Sequence, residues 1–291
     1  MGNPHQVAVV VDSAASLPTE LSCDSLLHVV PMKITVGDKT YRDGVDLTPL
    51  EYYRRLKGNA DATVTASPSP QDFIGAFRNA ARGASSILCV TVSPRFSSSY
   101  DFAQAAKRAI EDEGLDVQIE VLDTETAAGG EGLVTTAALR AAHGGATIAE
   151  VVEVARSVVS EVTLLAFLDT LYYVWRSGRV RMVTHAATSL LRIKPLFELS
   201  RGEIQQLARP RTMRRAIDGM LDIARMRVGN RLVHGAVMHA DAPEPAEILR
   251  RRVESEFDCS EIFVTEFSPV MGAHTGPGLL GFAFWTKNRL V

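Results

Sequence analysis

The chain of 291 residues has only three cysteines, no long apolar run and no surplus of positive charge. Cys23, Cys89 and Cys259 are odd in number and make no CxxC pair, which argues against a disulfide framework or a sulfur-rich zinc site and fits a reducing cytoplasm. No stretch reaches the roughly 18 consecutive apolar residues of a membrane span. The opening Met1-Gly2-Asn3-Pro4-His5-Gln6 has no basic region ahead of an apolar core, and Gln6 stands where a myristoylation motif needs Ser or Thr. A soluble cytoplasmic protein without stable membrane insertion is expected. With Lys+Arg 31 against Asp+Glu 34 the formal net charge is -3, so no global field gathers nucleic acid.

What is present is globular composition, 46% hydrophobic and 22% charged, at a length that suits about two domains. Short apolar runs at residues 7–11, 87–92 and 117–122 read as buried strands. Helix patterns alternate with them. One follows the N-cap Ser69 and N1 proline Pro70, with Phe73, Phe77, Ala80 and Ala81 on one face. A second carries Phe102, Ala105, Ala106 and Ile110, and residues 133–142 and 148–159 supply two more. Alternation of this kind predicts a parallel sheet flanked by helices, with its ligand crevice beyond the carboxyl ends of the strands. Residues 31–46 read as a hairpin projecting from this domain.

A second set of strands is expected at residues 162–168, 193–199, 232–239 and 262–267, with helices at 213–227 and 245–256 and a hairpin turn at Ser200-Arg201-Gly202-Glu203. The fold class is therefore α/β. An N-terminal domain (1–160) holds the parallel sheet, and a second α/β domain (161–291) holds a mixed sheet.

The familiar catalytic signatures fail. Residues 276–281 spell G-x-G-x-x-G, yet neither a following helix nor an acidic residue about 20 positions on is available. G-x-x-x-x-G-K-[ST], H-E-x-x-H and G-x-S-x-G are all missing. His5, His28, His143, His185, His234, His239 and His274 show no metal-ligand spacing, and His234 and His239 should face opposite sides of one strand. Neither a metal nor a cofactor is expected.

Three features remain. Thr65-Ala66-Ser67-Pro68-Ser69 is a hydroxyl-rich loop before a helix, in which capping accounts for Ser69 but leaves Thr65 and Ser67 unexplained. Ser93-Pro94-Arg95-Phe96-Ser97-Ser98-Ser99-Tyr100 follows a buried strand and opens a helix, where free N–H groups favour an anion. In residues 268–278, glycines flank His274 so closely that backbone could approach a ligand while the imidazole donates. Hydroxyls, amides and one imidazole suit a carboxylate or phosphate that is held without being attacked. A triad of Ser97, His274 and an acid such as Asp12 or Asp123 is the alternative.

These residues resemble the DegV family over nearly the whole chain. Val11-Asp12-Ser13 is similar to its first loop, and Val30-Pro31 with Tyr41-Arg42-Asp43 to its hairpin. Residues 65–69 resemble its Thr-Ser-Gln-Pro-Ser loop. Residues 93–103 resemble its Ser-x-x-Leu-Ser-Gly-Thr-Tyr-x-x-Ala pattern, with Ser98 and Ser99 replacing glycine and threonine. Asp123-Thr124, Gly130 and Gly132, Ser177-Gly178-Arg179, Ile193-Lys194-Pro195, Arg211-Thr212 and His274-Thr275-Gly276-Pro277-Gly278 also match.

The resemblance implies a protein that catalyses nothing alone and holds one long-chain fatty acid between its domains. The acid would be presented to a separate ATP-dependent fatty acid kinase, which makes acyl phosphate for phospholipid synthesis. Carboxylate ligands carry over to Thr65, Ser97, the N–H of Ser98, and His274, and phosphotransfer or kinase-docking arginines to Arg179 and Arg211. Ser98 in place of glycine requires a loop without positive φ there. Tail contacts are expected among Leu164, Leu165, Ala166, Phe167, Phe282 and Phe284. The rival readings are a Ser97/His274 lipid hydrolase or acyltransferase and a lipid-sensing regulatory module.

Overall fold

The computed structural model describes residues 6–58, 63–179 and 193–287. His5 and His185 lie outside the described residues. The first sheet contains β1 (Val7–Asp12), β2 (Leu27–Val30), β6 (Ser86–Thr91) and β7 (Gln118–Asp123), all parallel in the order β2-β1-β6-β7. A six-stranded sheet contains β8 (Thr163–Phe167), β9 (Leu196–Ser200), β10 (Glu203–Ala208), β11 (Leu232–His239), β12 (Cys259–Glu266) and β13 (Leu280–Lys287). Its order is β10-β9-β8-β13-β11-β12; β11 and β12 are parallel and the other neighbours antiparallel. The expected mixed sheet is thus observed. A small antiparallel sheet, β4-β3-β5, joins the hairpin β3 (Lys33–Val36) and β4 (Lys39–Arg42) to β5 (Thr63–Ala66).

Side-chain alternation divides the core into layers. Ala8 and Val10 of β1 pack with Phe73 and Phe77 of α2 (Pro70–Ala80) and Ala103 and Ile110 of α3 (Ser99–Asp112). Val7, Val9 and Val11 face the other way, onto Leu133 and Val134 of α4 (Ala128–His143) and Val151 of α5 (Ile148–Glu161). The same cluster takes in Leu164, Ala236, Met238 and Ala283 from the six-stranded sheet, so α4 and α5 form a middle layer shared by both sheets. On that sheet's far face, Leu165, Phe167, Val233, Phe282 and Phe284 pack with α7 (Met213–Val228) and α8 (Pro243–Glu256). Three short helices, α1 (Pro49–Gly58), α6 (Tyr172–Ser177) and α9 (Pro269–Thr275), gather beside the small sheet.

Local chemistry sets the boundaries. Ser69 caps α2 in a capping box with Asp72, with Pro70 at the first helical position, and Thr147 does the same for α5 with Glu150. Gly178 ends α6 at φ 63, and Arg201 (φ 51) and Gly202 (φ 71) make the β9–β10 turn. Several expectations need correction. Thr65 belongs to β5 rather than to a loop. The strand expected from residue 193 begins at Leu196, because Pro195 has no N–H to give a ladder. The segment containing G-x-G-x-x-G leads into strand β13, which the sequence reading did not anticipate.

Glycines in the first half of α4 permit its close packing. A Cβ at Gly132 would lie about 2.5 Å from the Ser16 carbonyl oxygen, whereas one at Gly75 in α2 would meet nothing within 4 Å. Gly132→Ala should therefore lower stability by about 1–3 kcal/mol, and Gly75→Ala should raise it by about 0.5–1 kcal/mol. Urea unfolding of the two variants checks both signs.

Candidate ligand-binding site

The middle-layer helices pack mainly over β11 and β13, where Gly281, Ala283 and Ala236 keep the sheet surface low. Toward β8, β9 and β10 the inner face carries Leu164, Ala166, Leu168, Phe197, Leu199 and Ile204, and these floor a cavity. The cavity has a volume of about 190 Å³. Phe267, Val270, Met271 and Leu279 close it from the side of α9, and Val92 and Phe96 from the first sheet. Of the expected tail contacts only Leu164 and Ala166 line this space. Leu165, Phe167, Phe282 and Phe284 belong to the opposite face, packed with the α7 and α8 layer, because successive strand residues alternate.

Polar atoms gather at one end: Thr65, Ser67, Ser97 and His274, with Arg179 beside them. Thr65 Oγ1 and His274 Nε2 are 2.9 Å apart. Ser67 Oγ is 2.7 Å from Ser97 Oγ and accepts the Ser98 N–H at 3.1 Å. Ser97 Oγ also lies 2.9 Å from Ser99 Oγ. The expected ligands Thr65, Ser97 and His274 therefore line one cavity, while the Ser98 N–H is engaged by Ser67. Ser98 has φ -82, so serine replaces glycine there without backbone strain.

His274 is in the last turn of a helix and not in a loop. Its flanking glycines do not expose backbone to a ligand: a Cβ at Gly272 would run into Tyr53, and one at Gly276, which has φ +74, into the Tyr173 ring. The glycines seat aromatic rings that hold α9 in place. Asp43, which the residue-by-residue reading missed, anchors the other end of that helix. Its Oδ1 accepts the Val270 N–H at 3.0 Å and its Oδ2 accepts the Ser13 hydroxyl at 2.7 Å, while Ser268 caps through Met271 N–H. The signal lay in the Asp-Ser and Tyr-Arg-Asp motifs, whose partners are distant in sequence.

Burial pushes His274 down to about 4, with the Arg179 charge adding to the shift. A neutral imidazole at neutral pH follows, and among the described residues its Nδ1 has no hydrogen-bond partner. With the proton on Nε2, His274 donates to Thr65 Oγ1 and leaves the Thr65 hydroxyl proton for a ligand oxygen. Arg179 Nε donates to the Phe96 carbonyl at 3.2 Å and Nη1 to the Ser177 carbonyl at 3.1 Å. A polar recess of about 410 Å³ meets the cavity at Thr65, Ser177, Arg179 and His274 and is lined further by Tyr52, Tyr173 and Arg176. Arg211 lies apart, exposed in the β10–α7 connection and lining neither space. Among the described residues no group of three or more His, Cys, Asp or Glu could hold a metal ion. None of the described helices is long and apolar enough to cross a membrane.

Two helix-covered sheets and an apolar cavity with a hydroxyl–imidazole end define an α/β protein with an amphiphilic interior site. A family model described as "Uncharacterised protein, DegV family" matches residues 6–287, and the chain belongs to the DegV family. The DegV domain-containing protein SCO2569 of Streptomyces coelicolor is 32% identical over 279 residues, covering 95% of this chain and 97% of that protein. A fatty acid-binding DegV family protein from Thermus thermophilus superposes with a TM-score of 0.88 at 26% identity, covering 97% of this chain and 100% of that one. A stearic acid-binding protein from Eubacterium ventriosum has the same fold, with a TM-score of 0.87 at 24% identity over 97% and 98% of the two chains.

The His274 shift has a measurable sign. The unfolded chain binds a proton near pH 6.5 and the folded chain only near pH 4, so this residue's contribution to stability is complete above pH 6.5 and is lost as pH falls toward 4. NMR titration should find the His274 ring neutral at pH 5.5. A midpoint near 6.5 would contradict the burial described.

Proposed function

We propose that the protein binds one long-chain fatty acid, with its carboxylate at the Thr65, Ser67, Ser97 and His274 end and its tail along the inner face of β8, β9 and β10. The observation that carries this reading is a single cavity that is apolar along the sheet and ends in neutral hydrogen-bond donors. Structural relatives that bind fatty acids support it. Burying about sixteen carbons at roughly 0.8 kcal/mol per CH₂ yields on the order of 10 kcal/mol before ordering costs. The tail thus supplies affinity and the head fixes orientation.

The bound acid is held for a separate ATP-dependent fatty acid kinase in the cytoplasm. Arg179, beside the head and in contact with the outer recess, is suited to neutralise an incoming phosphate. Arg211 would then act in docking the kinase. Carriage is favoured over hydrolysis by two features. Ser97 Oγ hydrogen-bonds serines, while His274 Nε2 is engaged by Thr65 and, among the described residues, its Nδ1 has no orienting acid.

Native mass spectrometry of the purified protein should show one acyl chain per molecule. Thr65→Val should weaken oleate binding roughly 10- to 100-fold, as expected for a lost hydrogen bond to a charged group, and His274→Ala should weaken it by removing the donor that orients the Thr65 hydroxyl. Unchanged affinity in both variants would refute the head-group assignment.

A further inference from the structure

The floor of the cavity is laid in cross-strand rows, because the pairing of β8, β9, β10 and β13 sets their inward residues side by side. One step past the Phe167–Leu280 pair stand Leu168 and Leu279, which join the floor to the two segments bearing the polar end. Leu168 leads into α6 and Arg179, and Leu279 follows α9 and His274. The next row is low at its centre: Ala166 pairs with Gly281 on one side and with Phe197 on the other. Then the floor rises. Leu164 pairs with Leu199 and Leu199 with Ile204, so three branched side chains from three strands stand abreast at the cavity. Leu168 and Leu164 are four residues apart on one strand, a path of about 13 Å.

Among the described residues the floor ends at this third row. The inward position before it on β8 is Val162, which is buried in the shared core, and after Leu199 the chain passes into the Arg201–Gly202 turn; neither lines the cavity. The turn is seated on the first domain. Gly202 N–H donates to the Glu125 carbonyl at 2.6 Å, and a Cβ at Gly202 would stand 3.3 Å from Arg95 Nε. Ile204 also borders an outer groove lined by Glu161, Glu198, Glu203, Arg227 and Arg231. A hydrocarbon carried past the row would have to strip water from charged groups, which is unfavourable.

We propose that Leu164, Leu199 and Ile204 are specificity-determining residues that set the longest acyl chain the protein holds, the methyl end of the ligand stopping against their row. The proposal rests on the fatty acid reading above and deepens it: the polar end meets the same carboxylate in every acid, so discrimination by length falls to the far end. Leu199 is the central member, flanked by the other two.

The row has a thermodynamic signature. Each further CH₂ buried in the cavity strengthens binding about fourfold. Affinity therefore climbs with chain length until the methyl group reaches the row, and there the climb breaks. Truncating a member of the row opens room behind the methyl group and moves the break.

The test is equilibrium binding of laurate, myristate, palmitate, stearate and arachidate to delipidated full-length protein, by displacement of a fluorescent acyl probe. The expected profile rises about fourfold per added carbon and then levels or falls at one member of the series. Leu199→Ala should shift that break to a longer acid. Ile204→Ala, at a half-buried position on the edge strand, carries the test if Leu199→Ala does not fold. A break at the same acid in the variant, even with every affinity lowered, is what a merely structural role would give; it overturns the assignment and leaves the fatty acid reading intact. Affinity that climbs to arachidate without a break in the wild type does the same. Failure of the wild type to bind any of the five acids overturns both.

Discussion

The inner face of the six-stranded sheet is apolar apart from the His234–Glu261 pair toward its β12 edge, and the shared helical layer covers only part of it. Over β11 and β13, α4 fits closely because the strands present small side chains there. Over β8, β9 and β10 the face carries larger aliphatic and aromatic groups with open space above them. An uncovered apolar surface of this kind is unfavourable in water, and a hydrocarbon chain is a natural cover for it. The rest of the site is arranged around that space.

The polar end is held from two directions. Asp43 ties the hairpin to the β1 loop and to the first turn of α9, so the segment carrying His274 is fixed to the small sheet that carries Thr65. Tyr53 and Tyr173 lie where side chains at Gly272 and Gly276 would stand, which fixes the same helix from its flank. Ser67 then links the segment after β5 to the turn opening α3. Hydroxyl donors converge there on a His274 ring that, among the described residues, no acid orients as a base, an arrangement suited to the proposed carboxylate.

Much of this arrangement could be read from residue patterns. Short apolar runs marked β1, β6, β7, β8 and β11, and Ser69-Pro70 marked the start of α2 to the residue. Strand β5 was missed because it is four residues long and only half-buried, so nothing but its pairing with β3 makes it a strand. The cavity floor was half legible: the run 164–167 was singled out, but which alternate residues face the cavity depends on where α4 lies. Thr65, Ser97 and His274 stood out as unexplained hydroxyls and a glycine-flanked ring. Asp43 did not, because its role arises from contacts with Ser13 and Val270, which are 30 and 227 positions away in the chain.

The central claim is that one cavity holds head and tail in a fixed direction, and a crystal structure with a fatty acid brominated at its terminal carbon tests it most directly. The account predicts carboxylate oxygens within hydrogen-bonding distance of Thr65 Oγ1 and Ser97 Oγ, and an anomalous bromine peak among the side chains above β8, β9 and β10. A bromine peak in the outer recess beside Tyr52 and Arg176, or an acid bound on the exterior with the cavity empty, would contradict it.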